Sequence, residues 1–352
     1  MAKKLYSGIH NLVIYIFVFA ILAAACTNSD VTITPTKAEQ ETVIESDQTP
    51  QVEPTFTASP VAPSVVVLVI PQGINEQLAQ HVQVVLAELA SASGFSLEVK
   101  GSLQVAEITP EWKIVFLLAY EPALSDALVA APQVQFVVIS SMDLGMAPNL
   151  SVIREKPEYQ TFTAGYLSLL IAPDWRAAGI LPLDSPNSIL IEETFLNGGH
   201  YFCGICNSHY SPVIRFPVVE RLSQNSDTGA WQPLIDEMLK DIIYVAYVAP
   251  ESSNPEMLAY LAEKGLVLLG GETPPDEVRH RWAATVLLDV VSPVRELWPD
   301  LLAGQGGKVV DSRVLITDIN EEFFSPGRQM FFEQMKEKLE SGQIYPFSVP
   351  LQ

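Results

Sequence analysis

Two histidines and two cysteines lie within ten residues of one another, and side chains of this kind can bind a metal or carry redox chemistry. His200, Cys203, Cys206 and His209 follow the pattern H-x2-C-x2-C-x2-H. Four nitrogen and sulfur donors would satisfy tetrahedral zinc, although structural zinc usually takes its two ligand pairs from separated segments. The pattern therefore permits a zinc site without requiring one.

The same two cysteines form a C-x-x-C motif with two further interpretations. A thioredoxin-like centre would need the first cysteine at a helix N-terminus, whereas Pro212 and Pro217 indicate a loop. A local disulfide between Cys203 and Cys206, or two packed thiols, is the favoured interpretation. Zinc and redox chemistry stay open.

Polar side chains follow three of the apolar runs that read as buried strands. They are Gln72 and Asn75, then Ser140, Ser141 and Asp143, and finally Glu272 and Thr273. Because open α/β sheets bind ligands at the carboxyl ends of their strands, these residues are candidates for a solute site. Taken singly, each is also a common turn or cap residue. Trp282 offers a stacking face, but core packing is favoured for it.

The sequence holds no motif of a common enzyme class. It has no G-x-S-x-G, no P-loop and no H-E-x-x-H. The glycine-rich stretch 304–307 follows a predicted helix rather than a strand, which disfavours a phosphate cradle. A net charge of -21 disfavours nucleic acid as a partner. We therefore expect a protein that is not an enzyme and uses no cofactor.

Apolar runs alternate with segments of helical spacing along most of the chain, which predicts βαβ units and mostly parallel sheets. The predicted strands are 65–70, 96–99, 114–119, 136–139, 151–154, 178–183, 242–248, 266–269 and 314–316. The predicted helices are 75–94, 123–130, 158–172, 188–196, 231–239, 255–263, 282–302 and 327–339. Residues 198–217 are predicted to be irregular. Gly165, inside a predicted helix, indicates a close approach to a neighbouring element.

The N-terminus has the layout of an export signal. Lys3 and Lys4 precede an apolar run of 14 residues from Leu12 to Ala25, which is shorter than the ~20 residues of a transmembrane helix. The stretch from Ala23 to Cys26 resembles the bacterial lipobox, although that motif prefers Leu, Val or Ile at the position of Ala23. The resemblance implies that Cys26 is lipidated and anchors the protein to the extracytoplasmic face of the membrane. An ordinary cleaved signal or an uncleaved anchor is the alternative.

Residues 26–63 change composition, with eight threonines and five prolines after Cys26. Too few apolar residues remain for a packed core, so a disordered stalk is predicted.

Three short motifs resemble the basic membrane protein (Bmp) family of substrate-binding lipoproteins of ABC transporters. The first is Thr161–Leu167 followed by Ala178–Ile180, the second is Lys264–Gly270, and the third is Leu339–Ile344. The resemblance implies a periplasmic-binding-protein type I fold, with two Rossmann-like α/β lobes joined by three hinge crossings. It also implies a small polar solute, most closely a nucleoside, and an ABC permease as partner.

The implied organisation has four parts. They are a signal peptide at 1–25, a stalk at 26–63, a first lobe at 64–176 that also receives part of 281–305, and a second lobe at 177–352. Two features depart from the nucleoside-binding pattern. The loop Pro71–Gln77 lacks the family's aromatic residue, and Glu272 stands near the position of its ribose-binding Asp. The alternative function is an interaction or sensor lipoprotein that kept the fold without transporting a solute.

Overall fold

The computed structural model describes residues 64–185 and 187–347. The predicted signal peptide, Cys26 and the stalk lie outside these ranges, so the lipid anchor stays a prediction. Within them, no helix combines the length and the apolar character that a membrane crossing requires.

Twelve strands and eight α-helices are present in the described ranges. The first set is β1 (Val65–Val69), α1 (Glu76–Ala92), β2 (Ser96–Lys100), β3 (Trp112–Leu117), α2 (Leu124–Ala130), β4 (Gln135–Ser140) and β5 (Leu150–Arg154). The second is α3 (Pro157–Ile171), β6 (Ala177–Pro182), α4 (Ser188–Cys203), β7 (Val218–Leu222), α5 (Thr228–Met238), β8 (Val245–Val248), α6 (Pro255–Glu263), β9 (Val267–Gly270) and β10 (Trp282–Asp289). The last is α7 (Val291–Leu302), β11 (Val309–Asp311), β12 (Arg313–Thr317) and α8 (Pro326–Glu340).

The strands form two six-stranded sheets. The first has the order β11-β5-β4-β3-β1-β2 and the second β12-β10-β9-β8-β6-β7. All pairings are parallel except that of β10 with β12. We call the two sheets with their helices lobe 1 and lobe 2. The predicted fold class, a bilobal α/β protein with two Rossmann-like lobes and mostly parallel sheets, is confirmed.

The apolar run of β1 shows why the sequence forms a central strand. Val66 and Leu68 pack with α1 and α7 on one face of the sheet, whereas Val65, Val67 and Val69 pack with α2 on the other. Branched side chains suit this pleated surface. Because both faces are covered, the run has no polar residue, as expected for a parallel sheet.

The chain passes between the lobes three times. It crosses after β5 at residues 155–156, after β10 at Val290, and between β11 and β12 at Ser312. Two of the crossings touch, because the Lys156 backbone N–H donates to Ser312 Oγ at 3.2 Å. Three adjacent crossings give the two lobes a common hinge region.

Helix α3 packs against α4 in the core of lobe 2, not in lobe 1 as the predicted boundary at 176 would place it. Glycines allow this contact. A Cβ added at Gly165 would lie 1.9 Å from the Phe195 carbonyl oxygen, and one at Gly198 would lie 1.9 Å from that of Phe162. The predicted close approach at Gly165 is therefore present, and its partner is α4.

Other boundaries differ from the predictions. Residues 282–289 form strand β10 rather than the start of a helix, because a short apolar run fits a buried strand as well as a helix. Helix α4 continues to Cys203, through part of the segment predicted to be irregular. Strands β7 and β11 are not among the strands predicted from the sequence. The segment that returns to lobe 1 is Val290 to Asp311, which includes part of the predicted 281–305 and continues beyond it.

Candidate functional site

A cavity of about 270 Å³ lies between the two lobes. Lobe 1 and the first crossing line it with Asn75, Gln77, Leu78, His81 and Glu155. Lobe 2 lines it with Gln160, Pro250, Glu251, Gly271, Glu272, Leu287 and Leu288, and Val290 of the second crossing completes the wall. Many of these residues directly follow β5, β8 and β9, so the cavity lies where parallel strands end.

A second cavity of about 220 Å³ shares part of this wall. Gln77, Pro250, Gly271 and Glu272 line both cavities. The smaller one extends to Trp282, Ser253 and Asn254 of lobe 2 and includes Thr273. Glu272 therefore stands between two neighbouring spaces in the cleft.

Two hydrogen bonds join the lobes across the cleft. Asn75 Nδ2 donates to Glu272 Oε1 in a short bond. The Thr273 backbone N–H donates to Gln77 Oε1 at 3.2 Å. Asn75 is held by its own helix, because its Oδ1 accepts from the Leu78 N–H at 2.9 Å and so caps α1. The cap therefore orients the side chain that reaches lobe 2.

The cavities are lined by carboxylates. Burial raises the pKa of Glu155, and no neighbouring cation opposes the effect. Burial also raises the pKa of Glu272, the hydrogen bond from Asn75 opposes this, and the nearby charge of Glu251 adds to it. No Lys or Arg lines either cavity in the part of the chain that the structure describes. The cleft thus holds the carboxyl groups of Glu155, Glu251 and Glu272 without a permanent cation among its described lining residues.

A buried network supports the loop that carries Glu272. Trp282 Nε1 donates to Thr285 Oγ1 at 2.9 Å, and the Thr285 hydroxyl lies 2.8 Å from Asp318 Oδ2 and 3.3 Å from the Glu272 carbonyl oxygen. Gly270 leaves room for the indole, because a Cβ there would lie 2.3 Å from the Trp282 ring. Trp282 is thus mainly a packing residue, with only 3 % of its surface exposed.

The structure brings together three of the seven candidate solute ligands. Asn75, Glu272 and Thr273 line the cavities. Gln72, Ser141 and Asp143 are exposed and line neither cavity. Ser140 is buried, and its Oγ accepts from the Met142 N–H at 3.0 Å, which is a turn role. Whether the three assembled residues bind a ligand stays a prediction.

Several cavity residues were missed by sequence reasoning. Glu155 and Glu251 come directly after the carboxyl ends of β5 and β8, so the rule applied to the other strands would have found them. Gln77 and His81 lie on α1 and point to the cleft by helical spacing that the apolar pattern does not reveal. Leu287 and Leu288 belong to β10, whose predicted helix hid their position.

The cysteine motif lies at the end of α4. Cys203 and Cys206 form a disulfide with a Cα–Cα distance of 5.5 Å. His209 contacts Asp174 instead, with 2.7 Å between Nδ1 and Oδ1, and His200 belongs to the last turn of α4. In residues 64–185 and 187–347, no group of three or more His, Cys, Asp or Glu is arranged to hold a metal ion. Cys203 ends a helix rather than beginning one, which disagrees with the thioredoxin-like geometry.

No protein-family model matches the chain, and no curated protein matches it either. Several solved structures are similar to the chain. A solute-binding protein of an ABC transporter system from Aeropyrum pernix K1 is 15% identical, covers 82% of this chain and 94% of its own, and superposes with a TM-score of 0.57. One from Conexibacter woesei DSM 14684 is 15% identical over 81% of this chain and 98% of its own, with a TM-score of 0.59.

A transcriptional activator of the comK gene from Bacillus halodurans has the same fold. It is 12% identical over 80% of this chain and 99% of its own, with a TM-score of 0.56. At these identities the comparisons establish the bilobal fold of solute-binding proteins and leave the activity to the chemistry of the cleft.

Proposed function

We propose that this chain is the solute-binding lipoprotein of an ABC importer and captures a small polar solute in the cleft between its lobes. The observation that carries the proposal is the cavity of about 270 Å³, lined by both lobes at the ends of parallel strands. A cavity shared by two lobes with a three-chain hinge suits capture by lobe closure. Its mixture of apolar walls and a few polar groups is typical of small-molecule sites.

The remaining parts of the proposal come from the sequence. Lipid on Cys26 would hold the protein at the extracytoplasmic face of the membrane, and the stalk up to residue 63 would let the lobes reach a permease. The Bmp-like motifs favour a nucleoside as the solute. The larger cavity has no Phe, Tyr or Trp side chain to stack on a base, so the nucleoside assignment depends on the sequence resemblance.

A thermal-shift screen of the full-length protein in detergent tests the proposal. The panel contains nucleosides, sugars, amino acids and amines, because any ligand that binds only the native state raises Tm. Glu272→Ala should remove the shift, whereas Asp143→Ala, which changes an exposed predicted residue outside the cavities, should keep it. If no member of the panel raises Tm, the proposal fails.

A sensor lipoprotein of the same fold is the second candidate. The Asn75–Glu272 and Thr273–Gln77 bonds favour it, because protein groups alone can hold such lobes together. Uptake assays separate the two functions. If deletion of the gene abolishes uptake of a solute that the protein binds, it serves an importer, whereas unchanged uptake of that solute indicates a sensor.

A further inference from the structure

The charge of the cleft restricts the solute that can enter it. Glu155, Glu251 and Glu272 line the larger cavity, and Glu272 also lines the smaller one. Among the described residues, the only other titratable side chain on these walls is His81. A phosphate or carboxylate in this space would face like charges without a cation to offset them. The cleft therefore disfavours anionic solutes.

The nearest cations of the hinge are already paired and line a different cavity. Arg154 Nε lies 2.7 Å from Asp311 Oδ1, and Lys156 Nζ lies 2.6 Å from Asp311 Oδ2. Both line a cavity of about 310 Å³ beside β11, not the cavity between Asn75 and Glu272. Glu155 lies between these two residues in sequence but lines the other cavity.

The described residues supply few hydrogen-bond donors to Glu155 and Glu272. Glu272 accepts one side-chain hydrogen bond, from Asn75. The carboxylate of Glu155 has no donor among the described residues, although it is partly buried. A carboxylate that is partly withdrawn from water is stabilised by a ligand that supplies positive charge and hydrogen-bond donors. An ammonium group supplies both.

Part of the wall of the larger cavity is apolar, beside the polar side chains of Asn75, Gln77, His81 and Gln160. Leu78, Leu287, Leu288 and Val290 contribute aliphatic wall next to the carboxylates. Such a wall suits the methylene chain of an alkylamine rather than a sugar ring covered with hydroxyl groups. The net charge of -21 would further favour the approach of cations.

We infer that the solute is an organic cation, with an amine held by Glu155 and Glu272 and an aliphatic body against the leucine wall. This inference rests on the proposed function and replaces the nucleoside with an amine-bearing class. It assigns Glu155 a binding role that the sequence motifs do not indicate.

A matched set of ligands tests whether binding to the full-length protein depends on the positive charge of the ligand. Putrescine, 1,4-butanediol and succinate share a four-carbon skeleton and carry positive, zero and negative charge. Spermidine, lysine, arginine and choline extend the cationic arm, and adenosine and ribose form the neutral arm. We expect at least one cation to raise Tm and to titrate by calorimetry, with no response to butanediol or succinate.

Three variants locate the binding. Glu155→Gln and Glu272→Gln should each weaken the binding of the cation at least tenfold, because each removes one partner of a buried charge pair. Glu333→Gln, on the exposed side of α8, should leave affinity unchanged. A folded Glu155→Gln protein is expected, since the replacement keeps the shape of the side chain.

The outcomes separate this inference from the proposed function. Binding of a neutral or anionic member alone overturns the cation inference and keeps the solute-binding function. Cation binding that survives both Glu155→Gln and Glu272→Gln also overturns the inference, because the cation then binds elsewhere. No binding in any arm contradicts the proposed function as well.

Discussion

Asn75 and Glu272 join the two lobes through a single short hydrogen bond from Nδ2 to Oε1. Each side chain is fixed by its own lobe: Asn75 caps α1, and Glu272 follows β9 on a loop supported by Thr285. Together with the bond from the Thr273 N–H to Gln77 Oε1, this contact holds the two sides of the cleft together. The same arrangement makes Glu272 available both to the other lobe and to a solute.

Two substitutions of Asn75 separate its role as the N-cap of α1 from its hydrogen bond to Glu272 in lobe 2. Asn75→Ala removes the cap and the bond to Glu272, and we expect a loss of about 1 kcal/mol in the free energy of unfolding. Asn75→Ser keeps a capping hydroxyl but is too short to reach lobe 2, so its stability should lie close to that of the parent. Chemical denaturation measures both. Equal losses in the two variants would show that the cap contributes little.

The contact between α3 and α4 should tolerate no side chain at its glycines. Gly165→Ala places a Cβ 1.9 Å from the Phe195 carbonyl oxygen, and we expect a loss of about 3 kcal/mol or more. Gly327→Ala in α8 is the matched control, because its added Cβ meets nothing within 4 Å and helices favour Ala. If both variants melt like the parent, the close packing of α3 on α4 is wrong.

The pH dependence of stability should reveal the unpaired carboxylate. The folded state raises the pKa of Glu155 above its ordinary value of 4.5, so protonation favours folding. The neutral Glu155 side chain contributes its full stabilisation at pH values below the pKa that Glu155 has in the unfolded chain. This contribution is lost as the pH rises through the pKa that Glu155 has in the folded state. At pH 7, Glu155→Gln should therefore melt at a higher temperature than the parent.

The difference should vanish near pH 4, where both residues are neutral. Glu251, Glu272 and His81 face the same cavity and are present in both proteins, so the comparison isolates Glu155. A lower Tm for Glu155→Gln at pH 7 would mean that the ionised carboxylate has a stabilising partner.

Reduction should loosen the end of α4 without involving a metal. The disulfide closes a loop with a sequence separation of 3, so its loss should lower the free energy of unfolding by about 2 kcal/mol. Cys203→Ser with Cys206→Ser should have the same effect, whereas a chelator should have none. One equivalent of zinc in the purified protein, measured by mass spectrometry, would contradict this account.

Periodicity predicted most of the architecture, because the buried run of β1 and the spacing of α1 depend on local sequence alone. It failed where a distant contact decides the structure. β10 is a strand because it pairs with β9 and β12, and α3 belongs to lobe 2 because Gly165 meets α4. Neither contact is visible in the local pattern.

The residues of the candidate site were likewise predictable where local sequence decides their position, and not where tertiary packing does. The rule that ligands bind at the carboxyl ends of parallel strands predicted Asn75, Glu272 and Thr273. The same rule, applied to β5 and β8, would also have predicted Glu155 and Glu251. It also selected Gln72, Ser141 and Asp143, whose side chains do not line the cavity. The direction in which a loop leaves its strand depends on tertiary packing, which explains these misses.

The central claim is that the cleft between the lobes binds a cationic solute. Calorimetric titration of the full-length protein with the cationic panel, repeated on Glu155→Gln and Glu333→Gln, tests it most directly. We expect saturable binding that weakens at least tenfold in Glu155→Gln and is unchanged in Glu333→Gln. Equal affinity of all three proteins for the cation, or binding of neutral members alone, would contradict it.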